Sequence, residues 1–220
     1  MTATHTAAGT AARVRAETLK VRVRRLGRVD YEPTWRAMQA FTAARTGGTA
    51  DEIWLLEHPP VYTLGVAGRA EHLPRIANGI AVVKSDRGGQ ITYHGPGQIV
   101  LYTLLDLRRR GLAVRPLVRL LEQSVIDLLA AHGVVAAPRV EAPGVYVEGA
   151  KIAALGLRIR DGCCYHGLAF NVDMDLSPFH AIDPCGYPGL AVTKTRDLGI
   201  TDAPERLAEQ LIQSVLNRLS

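Results

Sequence analysis

A twelve-residue stretch rich in glycine, residues 87–98, most constrains how this chain can fold. It combines four glycines and a proline with a short strand-forming run at residues 91–93 and several polar side chains. Glycine lets the backbone approach a ligand closely, and N–H groups in such a loop can hold an anion or an acyl oxygen. A tight hairpin with a bulge and no ligand would use the same residues, so the pattern alone leaves both interpretations open.

Apolar residues recur at helical spacing in three other segments, and they alternate or form short continuous runs in several more. Helices are predicted from an N-cap at Asp30 to Gly47, over residues 116–131, and at the C-terminus after a capping box of Asp202 and Glu205. Strands are predicted at residues 18–25, 53–56, 61–65, 80–84 and 99–105, and a β-meander at 144–147, 151–159 and 163–172. The pattern indicates mixed α and β structure in one domain, residues 18–220, preceded by a flexible extension of residues 1–17.

The composition limits the classes of partner. The 220 residues include 26 basic and 21 acidic side chains, which gives a formal charge of +5. This excess favours encounter with an acidic protein, a nucleic acid or an anionic membrane. The basic residues are scattered without interleaved aromatic residues, so no nucleic acid is expected. No apolar run reaches the roughly 18 residues that span a bilayer, and the start lacks a secretory signal pattern, so we expect no membrane association and a cytoplasmic location.

Three cysteines are present: Cys163, Cys164 and Cys185. An odd number with two adjacent members makes a disulfide framework implausible and fits a reducing compartment. No Cys-x-x-Cys or His-x-x-x-His pair offers a structural zinc site. We therefore expect neither a metal ion nor another cofactor.

Cys185 stands between a proline and a glycine inside residues 173–203, a long segment without periodic structure. Such segments are usually functional or disordered, and a rigid turn can present a nucleophilic sulfur. From the residues alone, an incidental role for Cys185 stays open. Its thiol, with an ordinary pKa near 8.5, would need a partner to ionise at neutral pH.

Lys151 is the candidate partner, because it stands at the head of an apolar strand. Partial burial there would lower the pKa of its ammonium group unless an anion pairs with it. An exposed lysine at a hairpin end is the alternative, and the sequence does not show that Lys151 and Cys185 meet. Of the other polar candidates, His58 is interpreted as structural and Glu122 as part of a solvated helix face.

Four motifs, in order along the chain, resemble those of the lipoyl(octanoyl) transferase family. They are Arg-Gly-Gly-x-x-Thr-x-His-Gly-Pro-Gly-Gln at residues 87–98, Gly-x-Lys-Ile-x-x-Leu-Gly at 149–156, His-Gly-x-Ala-x-Asn at 166–171 and Pro-Cys-Gly at 184–186. Residues 57–63, with the pattern Glu-His-Pro-x-x-Tyr-Thr, are similar to the same family. The glycine-rich stretch and the motifs of Lys151 and Cys185 show no departure from the family pattern, whereas the N-terminus rich in alanine and threonine and the Cys163-Cys164 pair are not part of it.

The resemblance implies transfer of an octanoyl group from octanoyl-acyl carrier protein to a lysine of lipoyl domains, the first step of endogenous protein lipoylation. It implies Cys185 as the nucleophile that forms an acyl-enzyme, and Lys151 as the group that lowers the cysteine pKa and moves protons. The implied acceptors are lipoyl domains of 2-oxoacid dehydrogenase E2 subunits and the glycine cleavage H protein. The implied fold is the α+β fold of the biotin and lipoyl ligases and transferases, a single domain with a mixed sheet flanked by helices. The substrate-binding residues that the resemblance carries over are Arg87, Gly88, Gly89, Gln90, Ile91, Thr92, Tyr93, His94, Ala154, Leu155, Gly156, Gly167, Leu168 and Ala169.

Three alternatives stay open. A lipoate or biotin ligase would share the fold but activate a free acid with ATP, and would not need Cys185. An amidotransferase would move octanoyl between two lipoyl domains, also through a cysteine. A catalytically silent module that only binds acyl carrier protein would be indifferent to the change Cys185→Ser.

Overall fold

The computed structural model of the chain describes residues 20–186 and 189–220, with Cys185 described by its backbone alone. The extension predicted at residues 1–17 lies outside these residues. Within them, the chain forms an α+β fold in which helices flank a mixed sheet. This confirms the fold class that the sequence predicted.

The strands of the described residues form two sheets. They are β1 (Val21–Arg28), β2 (Asp51–Glu57), β3 (Val61–Leu64), β4 (Ala81–Lys84), β5 (Ile91–His94), β6 (Gln98–Asp106), β7 (Ala137–Pro138), β8 (Gly144–Val147), β9 (Ala150–Arg160) and β10 (Cys163–Asn171). The larger sheet has seven strands in the order β1-β2-β6-β10-β9-β8-β7. Only β1 and β2 pair in parallel there, and the other neighbours are antiparallel. The smaller sheet, in the order β4-β3-β5, was not predicted, because strand patterns do not specify which strands pair.

Helices cover both faces of the seven-stranded sheet. They are α1 (Tyr31–Ala43), α2 (Leu107–Arg110), α3 (Val114–Ala131) and α4 (Pro204–Leu219). The apolar stripes of α3 and α4, with Leu121 and Leu211 fully buried, join the main core on one face. On the other face, Met38 of α1 packs against Trp54 of β2. Among the described residues, every helix is too short or too polar to cross a membrane.

The predicted β-meander is confirmed as β8, β9 and β10, each antiparallel to the next. Its two turns contain Glu148-Gly149 and Asp161-Gly162, and all four residues have positive φ, at 47°, 87°, 51° and 76°. Two successive residues with positive φ define the tight hairpin turn that matches the twist of antiparallel strands. Each pair of an acidic residue and a glycine therefore determines where the chain reverses direction in this part of the sheet.

The capping box predicted at the start of α4 is wrong. The N-cap residue is Ala203, and no side chain caps the helix. The Asp202 carboxylate lies instead 3.1 Å from Arg206 Nε and 3.5 Å from His132 Nδ1. Asp202 stands one residue before the N-cap, and its side chain forms an ion pair with Arg206 and lies beside His132 instead of binding the first N–H groups.

Candidate active site

A pocket lies between the seven-stranded sheet and the glycine-rich stretch of residues 87–98. It is lined by the three segments that the family resemblance carries over as substrate-binding. Twelve of these fourteen residues line it: Arg87, Gly89, Gln90, Ile91, Thr92, His94, Ala154, Leu155, Gly156, Gly167, Leu168 and Ala169. The fold therefore brings the three segments together, and their role in binding stays a prediction.

The other two predicted residues, Gly88 and Tyr93, lie beside the pocket rather than in its lining. The Gly88 N–H donates to the Leu157 carbonyl at 2.9 Å and ties the glycine-rich stretch to β9. Tyr93 packs in a separate apolar cluster behind the small sheet. Alternation along β5 explains its position, because Thr92 and His94 on either side of it face the pocket.

The floor of the pocket consists of two residue rows that cross three neighbouring strands, from β9 through β10 to β6. Both rows start with small residues and end with large ones. A Cβ on Gly156 would lie only 2.9 Å from the Gly88 carbonyl oxygen, so a larger residue would not fit there. The two rows are Ala154-Ala169-Val100 and Gly156-Gly167-Tyr102. We call the space above them the channel.

The Arg87 side chain braces the glycine-rich stretch. Its Nε donates to Thr63 Oγ1 at 2.9 Å, and its two Nη groups donate to the carbonyls of Gly88 at 2.8 Å and Gln90 at 2.9 Å. A guanidinium carries five N–H donors in a fixed fork, which suits this task of holding several carbonyls at once. Arg87 therefore shapes the pocket by fixing the backbone of the glycine-rich stretch.

Three aromatic side chains belong to the lining of the pocket: Tyr31 of α1, Tyr102 of β6 and His166 of β10. The Tyr102 hydroxyl lies 2.8 Å from Nε2 of the buried His58, and the Tyr31 hydroxyl lies 2.7 Å from Ser85 Oγ. This part of the lining is thus polar and anchored by buried hydrogen bonds, whereas the channel floor is apolar.

His166 has an unusual backbone conformation for a residue within a strand. Its φ is +61°, a left-handed value that costs a non-glycine residue roughly 1–2 kcal/mol. Cys164 and Leu168, two residues to either side, belong to the core beneath α3 and α4. Regular alternation would direct His166 there too, but its Nε2 lies 2.9 Å from Asp86 Oδ1 and the residue lines the pocket. The left-handed conformation therefore turns an imidazole into the pocket.

The hydrogen bond to Asp86 determines the tautomer of His166, and burial keeps its ring neutral. An ionised carboxylate can only accept hydrogen bonds, so His166 carries a proton on Nε2 and donates it in a hydrogen bond to Asp86. Asp86 also accepts hydrogen bonds from Trp35 Nε1 at 2.7 Å and Gln39 Nε2 at 3.0 Å. Burial alone would raise the pKa of Asp86, but hydrogen bonds from His166, Tyr165 and Gln39 lower it. Burial lowers the pKa of His166 despite the nearby carboxylate. His166 is therefore neutral, and its Nδ1 is a buried acceptor without a hydrogen-bond partner among the described residues.

Two further histidines, His94 in the pocket lining and His58 beside it, are also neutral. His58 lies 2.6 Å from the Val29 carbonyl through Nδ1, and burial lowers its pKa to about 4. Burial and the neighbouring His58 lower the pKa of His94 to about 3, and His94 Nδ1 donates to Gln98 Oε1 at 2.7 Å. These contacts support the structural interpretation of His58.

Lys151 is buried, with 3% of its surface exposed. Its Nζ lies 3.3 Å from the Pro143 carbonyl oxygen and 5.1 Å from the centre of the Tyr146 ring. The expectation that Glu122 faces solvent is wrong, because its carboxylate is buried and accepts the Gly144 N–H at 2.9 Å. A Cβ on Gly144 would lie 3.3 Å from Lys151 Nζ, so this glycine contacts both charged side chains.

The segment that carries Cys185 passes both the pocket and Lys151. Pro184–Gly186 form a 3₁₀ turn, and a Cβ on the glycine of this turn would lie 3.3 Å from Gln90 Cγ. Further along, the Lys151 N–H donates to the Ala191 carbonyl at 2.8 Å. The backbone around Cys185 therefore adjoins the pocket wall, while the pairing of its thiol with Lys151 stays a prediction.

The other two cysteines are free thiols buried in β10. Burial raises the pKa of Cys163, and it raises that of Cys164 to about 12. Buried thiols of this kind are inert at neutral pH. In the part of the chain that the structure describes, no group of three or more His, Cys, Asp or Glu side chains is arranged to hold a metal ion.

Comparison with known proteins identifies the family of the chain. Residues 30–216 match the lipoyl protein ligase A/B catalytic domain. The chain belongs to this family. It is 68% identical over 196 residues to an octanoyltransferase of Thiobacillus denitrificans, covering 89% of each chain. It is 61% identical over 219 residues to an octanoyltransferase of Azoarcus sp., covering 100% of this chain and 96% of that one.

Solved structures at low sequence identity show the same fold. A lipoate-protein ligase A with bound ATP has a TM-score of 0.76 at 16% identity, covering 91% of this chain and 85% of that one. A biotin protein ligase from Aquifex aeolicus has a TM-score of 0.54 at 12% identity, covering 91% and 69%. Together with the relatives above, the family match identifies this chain as an acyltransferase, as its motifs predicted.

Four residues that line the pocket were not singled out as site residues from the sequence: Tyr31, Val100, Tyr102 and His166. His166 opens one of the four family motifs, so the motif contained a signal for it. Strand alternation pointed the other way, because it places His166 in the apolar core. For Tyr31, no local pattern indicates that the start of α1 lies opposite the sheet.

Proposed function

We propose that this enzyme transfers an octanoyl group from octanoyl-acyl carrier protein to the ε-amine of a lipoyl-domain lysine. The observation that carries the proposal is the channel, whose alanine and glycine floor suits a linear acyl chain. Lys151 belongs to β9, the strand that carries Ala154 to Gly156 of the lining, and the Pro184–Gly186 turn adjoins the pocket wall. The two octanoyltransferases that are 61% and 68% identical to this chain support the choice of acyl group.

In the first half-reaction, the Cys185 thiolate attacks the thioester carbonyl of the donor. A bond forms between Sγ and the acyl carbon, and the bond from that carbon to the pantetheine sulfur breaks. Lys151 takes the proton of the Cys185 thiol and passes it to the departing thiolate. One thioester replaces another, so this step is near energetic balance and needs no ATP.

In the second half-reaction, the acceptor lysine attacks the acyl carbon of S-octanoyl-Cys185. An amide bond forms, the bond to Sγ breaks, and Lys151 relays a proton from the amine to the departing thiolate. Backbone N–H groups near the acyl carbonyl stabilise the negative oxygen that develops. Conversion of a thioester to an amide is downhill, so this step drives the cycle.

The proposed protein partners agree with the charge of the chain. A formal charge of +5 favours an acidic carrier protein as the donor. The acceptors are the lipoyl domains of 2-oxoacid dehydrogenase E2 subunits and the glycine cleavage H protein. The free thiols of Cys163 and Cys164 fit the reducing cytoplasm in which we place this reaction.

Intact-mass spectrometry of the purified enzyme with octanoyl-acyl carrier protein, without ATP, tests this function. We expect the wild type to gain the mass of one octanoyl group and to lose it when an apo lipoyl domain is added. Cys185→Ser is expected to gain nothing, because it lacks the nucleophile. Cys163→Ser is the matched control and is expected to gain the octanoyl group like the wild type.

Other outcomes would assign the chain to one of the alternatives. No adduct on the wild type, with octanoylation of the lipoyl domain only when free octanoate and ATP are supplied, would indicate a ligase. An adduct that forms from an octanoylated lipoyl domain and not from the carrier protein would indicate an amidotransferase. Carrier binding without transfer, unchanged in Cys185→Ser, would indicate a binding module.

A further inference from the structure

We propose that Glu122, a buried carboxylate of α3, positions Lys151 and stabilises its ammonium form. The inference rests on the proposed function, because it concerns the lysine that is proposed to move protons there. Three features of the structure support it: the burial of both charged side chains, a single peptide group that lies between them, and the interaction of the two charges. Glu122 is thus a positioning residue, which acts on the reaction through Lys151.

Both charged side chains are buried. Glu122 is 6% exposed and Lys151 is 3% exposed. On α3, the neighbouring Leu121 and Val125 are fully buried in the main core, so packing alone would favour an apolar residue at position 122. A buried carboxylate is unfavourable unless hydrogen bonds and an opposite charge compensate for the lost water. The partners that compensate for the burial of Glu122 lie on β8 and β9.

One peptide group connects the two side chains, and we call it the peptide bridge. It consists of the Pro143 carbonyl and the Gly144 N–H. The N–H donates to Glu122 Oε1 at 2.9 Å, and the carbonyl oxygen accepts from Lys151 Nζ at 3.3 Å. A trans peptide group is planar and its N–H and C=O point in opposite directions, so the carboxylate lies on one side and the ammonium on the other. A carboxylate on the N–H also polarises the peptide group, which makes its carbonyl a stronger acceptor for the lysine.

Gly144 lets the peptide bridge approach Lys151 closely. Its φ of 151° lies in the region that favours glycine, and a Cβ there would lie 2.6 Å from the Ala153 carbonyl oxygen. The same Cβ would lie 3.1 Å from Lys151 Cε and 3.3 Å from Nζ. A larger residue would therefore displace either the bridge or the lysine, and glycine keeps the two in contact.

The two charges interact across the peptide bridge. Burial raises the pKa of Glu122, and the Gly144 N–H, Arg119 and Lys151 oppose this rise. Arg119 stands one turn earlier on α3, at an exposed position where solvent weakens its effect. Because the interaction is mutual, a carboxylate that the ammonium stabilises also stabilises the ammonium. Loss of the carboxylate is therefore expected to release the Lys151 proton at a lower pH.

Other charged and titratable groups also face Lys151. The centre of the Tyr146 ring lies 5.1 Å from Lys151 Nζ, and the Arg139 guanidinium lies 4.3 Å from the centre of the same ring. Cys185 carries the thiol with which Lys151 is proposed to exchange a proton. Variants of Glu122 keep all of these groups, so a shift in the titration of Lys151 in such a variant reports the carboxylate.

Glu122→Gln tests the charge. The amide keeps the length of the side chain and an oxygen that can accept the Gly144 N–H, and it lacks the negative charge. We expect Lys151 to lose its proton at a pH roughly one unit lower than in the wild type. NMR of the substrate-free enzyme with isotope-labelled lysine Cε follows the titration, and the Lys151 signal is assigned by its loss in Lys151→Arg. The other lysines of the chain are Lys20, Lys84 and Lys194, so few signals overlap.

Asp127→Asn is the matched control, because it removes a carboxylate from an exposed position of the same helix. Solvent and salt screen this position from Lys151, so the titration is expected to stay at the wild-type pH. Circular dichroism checks the fold of both variants.

Glu122→Asp tests the hydrogen bond. It keeps the charge but withdraws the carboxylate from the Gly144 N–H by one methylene group, about 1.5 Å. We expect kcat for octanoyl transfer to a lipoyl domain to fall roughly tenfold, because the bridge no longer holds Lys151 in place. KM for octanoyl-acyl carrier protein is expected to stay unchanged, since Glu122 lies behind the lysine and contacts no substrate in this proposal.

The outcomes separate this inference from the proposed function. An unchanged Lys151 titration in folded Glu122→Gln would overturn the stabilisation of the ammonium, and a wild-type kcat in folded Glu122→Asp would overturn the positioning. If Glu122→Gln does not fold, kcat and KM of Glu122→Asp decide. The NMR titration needs no substrate, so it tests the inference even if the wild type transfers no octanoyl group, which would overturn the proposed function itself.

Discussion

The two faces of the seven-stranded sheet bury different kinds of residue. The face beneath α3 and α4 is an apolar core in which Leu121 and Leu211 are fully buried. The opposite face carries α1, the small sheet and the pocket, and it buries His58, His94 and His166. The first face removes apolar surface from water, whereas the second holds polar groups in fixed positions.

This contrast shows how one sheet can serve stability and chemistry together. Burial of polar groups is unfavourable unless each finds a partner, and the pocket face matches most of its polar atoms with hydrogen bonds. His166 departs from this rule, because its buried Nδ1 acceptor has no hydrogen-bond partner among the described residues. Its left-handed backbone is a second unfavourable feature. Such departures persist only where the surrounding structure holds them, and Asp86 holds the His166 ring through Nε2.

The largest expected effect is on chemistry, from Lys151→Ala. We expect acylation of Cys185 to slow by roughly 10²- to 10⁴-fold, because the variant lacks the group proposed to carry protons. The rate is measured by intact mass after mixing with octanoyl-acyl carrier protein, and circular dichroism checks the fold. Lys84→Ala, at an exposed position of β4, is the control and is expected to react like the wild type. A folded Lys151→Ala enzyme with the wild-type rate would exclude Lys151 from the reaction.

The next effect is on stability, from Leu121→Ala on the apolar face. We expect the free energy of unfolding to fall by about 2–5 kcal/mol, because the change leaves a cavity in the main core. Urea unfolding measures this loss. The acylation rate per folded molecule is expected to stay at the wild-type value, and a lower rate would show that the two faces are coupled in function.

A smaller effect, confined to the pocket face, is a dependence of stability on pH. Burial lowers the pKa of His58 to about 4 and, with the neighbouring His58, that of His94 to about 3. An unfolded histidine binds a proton near pH 6.5, so the unfolded state takes up more protons as the pH falls from about 6.5 towards 4. Each histidine is therefore expected to lower the free energy of unfolding by up to about 1.4 kcal/mol per pH unit in this range.

Urea unfolding of the wild type and His58→Gln at pH 7, 6 and 5 measures this dependence. The variant is expected to lose stability less steeply on acidification, by the contribution of one proton. His180→Gln, at an exposed position, is the control and is expected to keep the wild-type slope. Equal slopes for the wild type and His58→Gln would contradict the neutral, buried state of His58.

The sequence predicted the apolar face and the meander well, because their signals are local. The turn residues Glu148-Gly149 and Asp161-Gly162 determine the hairpins by their own backbone preferences. Likewise, the apolar stripe of α3 recurs at helical spacing regardless of what packs on it. Motifs then identified the segments that line the pocket.

The sequence failed where a distant contact decides the outcome. Glu122 borders an apolar stripe, and only the Gly144 N–H from another part of the chain makes its burial favourable. His166 does not face the apolar core, as alternation along β10 would place it, because its ring forms a hydrogen bond with Asp86. Tyr31 lines the pocket because α1 packs on the pocket face. Each of these depends on tertiary structure, which neither periodicity nor a motif contains.

The smallest expected effect is the loss of stability in Asp202→Ala, at the start of α4. It distinguishes the observed ion pair of Asp202 with Arg206 from the predicted helix cap. A lost cap costs about 0.5–2 kcal/mol, and the hydrogen-bond part of this loss persists in concentrated salt, because backbone N–H groups are left without an acceptor. A lost surface ion pair costs about 0.2–1 kcal/mol and vanishes in concentrated salt. Asp202 contacts Arg206 and His132, so we expect a small loss at low salt that disappears in 1 M NaCl, measured by urea unfolding. A loss that persists at high salt would restore the cap and contradict the geometry at the start of α4.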